Sequence, residues 1–181
     1  MSSREKLVFE AVRFNVHEIE IPTEGGDSVT RHVARHPGAV VIVPILDDDH
    51  VVLIENTRAT VGKTLIELPA GTREAGEPPE VTAERELAEE TGYRCGKITK
   101  LMQFYASPGI TDELMHLYIA QDLTAGTHAR EAAELIQNRI CPWTEIDRML
   151  DEGEFEDGKT IAGLLYARRW LGQYQRPLPV C

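Results

Sequence analysis

The sequence predicts an α/β protein: an α/β/α sandwich around a mixed β-sheet, preceded by an N-terminal antiparallel β extension. Strand-like segments flank one strongly marked helix, two more helix-periodic segments come late, and residues 7–21 and 28–34 read in strand fashion. The 181 residues suffice for one domain with a real core and are marginal for two. A hydrophobic share of 42 % and a charged share of 27 % are ordinary for a globular chain.

Residues 7–21 alternate loosely, reach Pro22 and the Gly25-Gly26 pair, and strand character resumes over residues 28–34. This reads as a hairpin that turns at the glycines. A second hairpin joins residues 39–46 to 51–55 through Asp47-Asp48-Asp49-His50. Those aspartates are read as a turn, because the Gly and ligating Glu of a calcium loop do not follow at the required spacing. Residues 65–68, 98–104 and 115–120 are strand candidates, residues 121–131 a polar loop, and 135–140 a final strand. Between them, a helix opens at Pro78-Pro79, where missing N–H donors cost nothing, and stops at Gly92, a typical C-cap residue. Residues 142–150 set Trp143, Ile146 and Leu150 at helical spacing, and residues 159–174 do the same for Ile161, Leu164, Leu165, Ala167 and Leu171.

The net charge of −11, with no Lys/Arg stripe, argues against a nucleic-acid partner. The longest apolar run, residues 39–46, is eight residues long and cannot span a bilayer, and the N-terminal stretch has no apolar signal-peptide segment. Cys95, Cys141 and Cys181 are odd in number and lack metal-type spacing. They read as reduced thiols, so a cytoplasmic protein without membrane attachment is expected.

The chemistry is concentrated between Gly71 and Tyr93. On a helix Glu86, Glu89 and Glu90 stand at i, i+3 and i+4, which places all three carboxylates on one face. Val81, Leu87 and Ala88 fall on the opposite side and are expected to bury the helix. Clustered carboxylates repel unless something positive sits among them, and hard oxygen ligands suit Mg²⁺ or Mn²⁺. An isolated E-L-A-E-E is ordinarily a solvated helix face. Here Gly71, Glu77, Arg85, Glu86, Glu89, Glu90 and Gly92 recur together in a fixed spacing that chance produces on the order of once in 10⁸ windows.

That spacing matches G-x5-E-x7-R-E-U-x-E-E-x-G-U, the Nudix box, with Tyr93 at its last apolar site. The chain therefore resembles the Nudix hydrolases, which split nucleoside diphosphates linked to another moiety. The resemblance implies a Nudix fold and a loop–helix–loop cradle for Mg²⁺ (or Mn²⁺), held by Glu86, Glu89, Glu90 and the Ala70 carbonyl. It also implies that Arg85 and Glu77 keep the cradle in shape. Three features outside the box resemble the ADP-ribose pyrophosphatase and nucleoside-diphosphate-sugar hydrolase branch. They are V-G-K-T-L-I-E-L-P-A-G over residues 61–71, Ser107-Pro108-Gly109 with Pro108 fifteen residues past Tyr93, and Asp157-Gly158-Lys159-Thr160-Ile161.

The branch implies Arg58, Pro108 and Glu113 as substrate-binding residues, the last for a terminal ribose, while His50 and His116 are read as surface or structural residues. It implies a catalytic base in the loop before the last strand. Here the chain departs from the pattern: Glu131-Ala-Ala-Glu134-Leu-Ile136 is one residue longer than the usual E-x-E spacing. Glu134 is taken as the base with Glu131 in reserve, and Arg85 completes the expected catalytic set. ADP-ribose is the expected substrate, with GDP-mannose or a broad set of sugar nucleotides as an alternative. A non-catalytic nucleotide-sugar sensor is the alternative of another class, which the intact acidic set disfavours. The branch further implies a homodimer with exchanged N-terminal strands, residues 1–36 serving dimerisation and residues 37–181 forming the Nudix domain.

Overall fold

Alternation along one strand organises the protein. In the computed structural model, which describes residues 4–127 and 136–172, strand β4 (Ala39–Pro44) is buried on both faces. Val40 and Ile42 point to one side and Ala39, Val41 and Val43 to the other, as period-two side chains must. The first side packs against Ala83 and Leu87 of the box helix; the second packs against Ile146, Met149, Leu164 and Ala167 from the two late helices. The expected α/β/α sandwich is thus present.

The remaining elements follow in chain order. β1 (Glu5–Glu10), β2 (Asn15–Pro22) and β3 (Ser28–Arg35) form an antiparallel three-stranded sheet of their own. The expected long first strand is two strands, because the chain turns at residues 11–14, where the Ala11 N–H donates to the Phe14 carbonyl (3.1 Å). β5 (His50–Arg58) lies between β6 (Lys63–Glu67) and β10 (Ile136–Pro142). β7 (Ala70–Thr72), β4, β9 (Leu114–Ala125) and β8 (Tyr93–Tyr105) form the mixed sheet, in which β4 and β9 run parallel. β9 takes in the first part of the expected polar loop, because residues 121–125 pair with the start of β8 and Leu123 packs under the box helix.

Helix α1 (Pro79–Glu86) passes directly into a π-helical turn, Leu87–Thr91, and Gly92 ends it in the left-handed conformation at φ 75°. Val81, expected inside, is 48 % exposed. The buried side of α1 runs through Thr82, Ala83 and Leu87, one helical position on, so Val81 is rotated out to solvent. Helix α2 (Trp143–Glu152) ends at Gly153, and α3 (Gly158–Trp170) is capped by Asp157, whose carboxylate accepts the Thr160 N–H at 2.9 Å. Among the described residues no helix is long and apolar enough to cross a membrane.

Candidate active site

A cleft of about 1020 Å³ opens where β7, the box helix, the 106–113 loop and the start of α3 meet. Its acidic wall comes from the box. Arg85 lies among the carboxylates and uses nearly all its donors on them. Nε and Nη2 reach the two Glu77 oxygens, each at 3.1 Å, and Nη1 reaches Glu86 at 2.8 Å and Glu89 at 2.9 Å. Nη2 also approaches the Thr72 carbonyl at 3.3 Å, which ties the helix to β7. This is the positive group that the clustered acids require.

The Arg85 guanidinium, assisted by the Thr82 hydroxyl and the Glu74 N–H, holds the Glu77 pKa down to about 2 from an ordinary 4.5. A depressed carboxylate contributes stability that is complete above the unfolded value and is lost as pH falls through the folded one. The Glu77 contribution is therefore present above about pH 4.5 and disappears toward pH 2. Glu77→Gln is expected to cost about 1–3 kcal/mol at neutral pH and to flatten the acid limb of the stability curve over that window. Urea midpoints measured across that range check this, and an unaltered acid limb would remove Glu77 from the cradle's support.

The π-helical turn separates the three glutamates by depth. Glu90 is buried, at 4 % exposure, and its Oε2 accepts the Ala70 N–H at 2.9 Å. Glu86 lies against the backbone of Gly71, where an added Cβ would stand 1.9 Å from its carboxyl carbon and 2.0 and 2.4 Å from its oxygens. Glu89 is the most open of the three and meets Arg85 across one turn. π-helical turns of this kind recur at functional sites because they re-aim side chains that a regular α-helix would stack.

The cleft also has a cationic wall, which rests on Glu67, a carboxylate only 1 % exposed. Arg58 grips it through two bonds, Nε at 2.8 Å and Nη2 at 2.7 Å, and the Lys159 ammonium donates to the same carboxylate. Lys159 also pairs with Asp157 at 2.9 Å. The far end is built by the 106–113 loop. There Asp112 accepts the His36 N–H at 2.9 Å and an Arg35 bond at 3.0 Å, which brings His36 and Glu113 together on the cleft wall. Arg35 in turn pairs with Glu5 of β1 at 2.8 Å, so the N-terminal sheet is tied to the cleft and adds Arg13 and Phe14 to its lining.

Of the residues singled out from the sequence, Ala70, Arg58, Arg85, Glu86, Glu89, Glu90 and Glu113 come together in this cleft. Pro108 is not among the described residues that line it; its loop contributes Ala106 and Glu113 instead. Glu131 and Glu134 lie outside the described residues. His116 is buried, where desolvation lowers its pKa, and His50 is a surface residue paired with Asp47 at 2.9 Å. Sequence reasoning missed Glu67, Lys159, His36 and Phe14 as site residues. Glu67 and Lys159 stand inside the motifs at residues 61–71 and 157–161, and those motifs were the available signal.

The sequence model of the NUDIX domain matches residues 35–164. A Bacillus methanolicus methanol dehydrogenase activator is 38 % identical over 160 residues, 86 % of this chain and 84 % of that protein. A Bacillus subtilis ADP-ribose pyrophosphatase is 36 % identical over 153 residues, 83 % and 82 % of the two chains. A Shigella flexneri GDP-mannose pyrophosphatase is 34 % identical over 169 residues, 84 % of this chain and 87 % of that one. The crystal structure of an ADP compounds hydrolase superposes with a TM-score of 0.81 at 25 % identity, covering 97 % of this chain and 96 % of that one. On the box geometry and these likenesses together, the chain belongs to the Nudix family and is a Nudix pyrophosphohydrolase.

Proposed function

We propose that the enzyme hydrolyses the diphosphate of ADP-ribose to AMP and ribose 5-phosphate with Mg²⁺ (or Mn²⁺) as cofactor. The observation that carries this is a single cleft lined both by the carboxylates of Glu86, Glu89 and Glu90 and by the cations Arg58 and Lys159. A diphosphate fits beside such acids only if a divalent cation offsets them.

The donor set suits that cation. All the candidate ligands are hard oxygens, namely the Glu86, Glu89 and Glu90 carboxylates and the Ala70 carbonyl. Gly71 leaves the space beside Glu86 that any side chain would fill. Among the described residues no three acidic or imidazole side chains already close on one point as a finished cage. Arg85 instead holds Glu86 and Glu89 together. A divalent ion bound there supplies charge neutralisation at the diphosphate oxygens and acidifies water. Arg58 and Lys159 orient the phosphates, and Glu113 faces the terminal ribose. Glu134, with Glu131 in reserve, takes the proton from the attacking water.

Relatives named GDP-mannose pyrophosphatase favour a second reading, hydrolysis of GDP-mannose or other sugar nucleotides. Phosphate release coupled to alkaline phosphatase decides between them, on a panel of ADP-ribose, GDP-mannose, ADP-glucose, UDP-glucose and nucleoside triphosphates with Mg²⁺. A dominant ADP-ribose signal supports the first reading; a GDP-mannose-led or flat profile replaces it with the second.

We also infer a cytoplasmic homodimer, built through a β extension of residues 1–36 that exchanges strands between subunits onto the Nudix domain of residues 37–181. What supports it is the apolar surface of the N-terminal sheet: Leu7, Val8, Phe9, Ile21 and Val29 are exposed, more than an isolated small sheet leaves to water. Light scattering is expected to give twice the chain mass, and a mass near 20.3 kDa refutes the dimer.

A further inference from the structure

β6 ends at Glu67 and β7 begins at Ala70, so Leu68 and Pro69 cross from one sheet to the other outside either ladder. Leu68 is fully buried, and Pro69 has no N–H. The Leu68 N–H is therefore the only backbone donor of the crossing, and a buried donor must find a partner. It finds one ninety-two residues further on, where the Thr160 hydroxyl accepts it at 2.9 Å. Thr160 is itself fully buried in the first turn of α3. Its hydroxyl donates to Asp157 Oδ2 at 2.5 Å, and the same oxygen accepts the Thr160 N–H at 2.9 Å. A hydroxyl has one proton to give, so donating to Asp157 leaves its oxygen to accept from Leu68. Gly163, one turn along, lets the helix come close: an added Cβ would stand 2.6 Å from Leu68 Cδ1.

Beyond Pro69 the crossing runs into the cradle. The Pro69 carbonyl accepts the Ile42 N–H at 2.9 Å, and the Ala70 N–H donates to Glu90 at 2.9 Å. The Ala70 carbonyl is the one backbone member of the proposed cation ligands. The proline ring fixes its own φ and restricts the residue before it, so a displacement at Leu68 is passed on to Ala70 and not absorbed. We propose that Thr160, oriented by Asp157, is a positioning residue for the metal cradle: its hydroxyl fixes the Leu68–Ala70 crossing and with it the Ala70 carbonyl and the Ala70–Glu90 bond. Thr160 is not among the described residues that line the cleft, and it acts only through that backbone. The role deepens the divalent-cation reading above and rests on it.

Mn²⁺ binding to the full chain without substrate, read from the electron paramagnetic resonance signal of the free ion, tests this apart from turnover. Thr160→Val keeps the shape, removes the hydroxyl and strands the Leu68 N–H. It is expected to raise the Mn²⁺ Kd roughly tenfold, as the loss of a partner behind a metal ligand does. Thr160→Ser keeps the hydroxyl and is expected to bind within about threefold of wild type. Met149→Ala, in the core on α2, controls for instability alone and should lower the thermal midpoint with Kd unchanged. Thr160→Val behaving in that same way, midpoint down and Kd unmoved, overturns the positioning role. Thr160→Ser binding as weakly as Thr160→Val overturns it as well, because the methyl group and not the hydroxyl would then hold the crossing. Should Thr160→Val not fold, Thr160→Cys, whose sulfur is a weaker acceptor, takes its place: a Kd raised about threefold or more supports the role, and an unchanged Kd overturns it. A wild type that binds no Mn²⁺ removes the cation reading itself. A wild type that binds it, with the Thr160 variants unmoved, removes only the role of Thr160.

Discussion

Gly71→Ala is expected to lower turnover of ADP-ribose by roughly a hundredfold while leaving a folded protein. The added Cβ would stand 1.9 Å from the Glu86 carboxyl carbon, far inside the 3.5–4.0 Å at which such atoms rest, so something must move. The obstacle is the far end of a flexible side chain, and Glu86 will swing away before β7 shifts. β7 is held by its pairing with β4, Gly71 opposite Val40. The swing breaks the Arg85–Glu86 bond at 2.8 Å and takes the carboxylate out of the cradle. Misplacing a catalytic group by about 1 Å costs on the order of 10²-fold in rate. The stability cost should be only about 1–2 kcal/mol, because no apolar core contact is lost. Steady-state kcat with Mg²⁺ and a thermal midpoint together check this. A normal kcat would mean that Glu86 does no work from its present position, and the cradle would have to be rebuilt around Glu89 and Glu90.

That prediction was half legible in the sequence. The box spacing identified Gly71 and Glu86 as fixed points, since it is local and each residue type is chemically demanding. It gave no hint that the glycine exists to admit the glutamate, because a contact across β7 and α1 depends on how closely the two pack. The same limit explains the other differences. Regular helical spacing places Glu86, Glu89 and Glu90 on one face, but the π-helical turn Leu87–Thr91 sinks Glu90 and leaves Glu89 near the surface. No residue type encodes that turn; its supports are tertiary, such as the Asn138 side-chain donation to the Thr91 carbonyl at 2.7 Å. Val81 was misplaced because apolar character was read in a helix whose phase is decided by Ala83 and Leu87 against β4. Arg58, Glu67 and Lys159 lie in three separate segments, and only the fold brings them to one carboxylate. Periodicity and spacing report on neighbours in sequence, whereas the cationic wall is a property of convergence.

Glu90→Gln is expected to separate activity from stability, with opposite signs. The substitution is nearly isosteric, and the amide oxygen can still accept the Ala70 N–H that Glu90 accepts at 2.9 Å. What disappears is a negative charge held at 4 % exposure beside the cleft. If that charge exists to bind a divalent cation at the diphosphate, its loss removes an interaction realised in the transition state, and kcat falls by on the order of 10³-fold or more. In the absence of metal the same charge is a liability. Burying a carboxylate costs free energy that its partners only partly return, so the neutral amide should leave the EDTA-treated protein as stable as wild type or about 1 kcal/mol more stable. A residue kept only for the fold predicts the contrary, a lower thermal midpoint in EDTA with activity reduced only in proportion to unfolded protein. Midpoints in EDTA, midpoints with Mg²⁺ and kcat on ADP-ribose distinguish the two. A stable, inactive variant that has also lost the Mg²⁺-dependent rise in midpoint assigns Glu90 to the metal. A destabilised variant that keeps that rise assigns it to the π-helical turn, and the acidic wall would then rest on Glu86 and Glu89. The first outcome is the one the geometry favours, because the Glu90 carboxylate is buried on the lining of the same cleft as Glu86 and Glu89, where hard oxygen ligands gather.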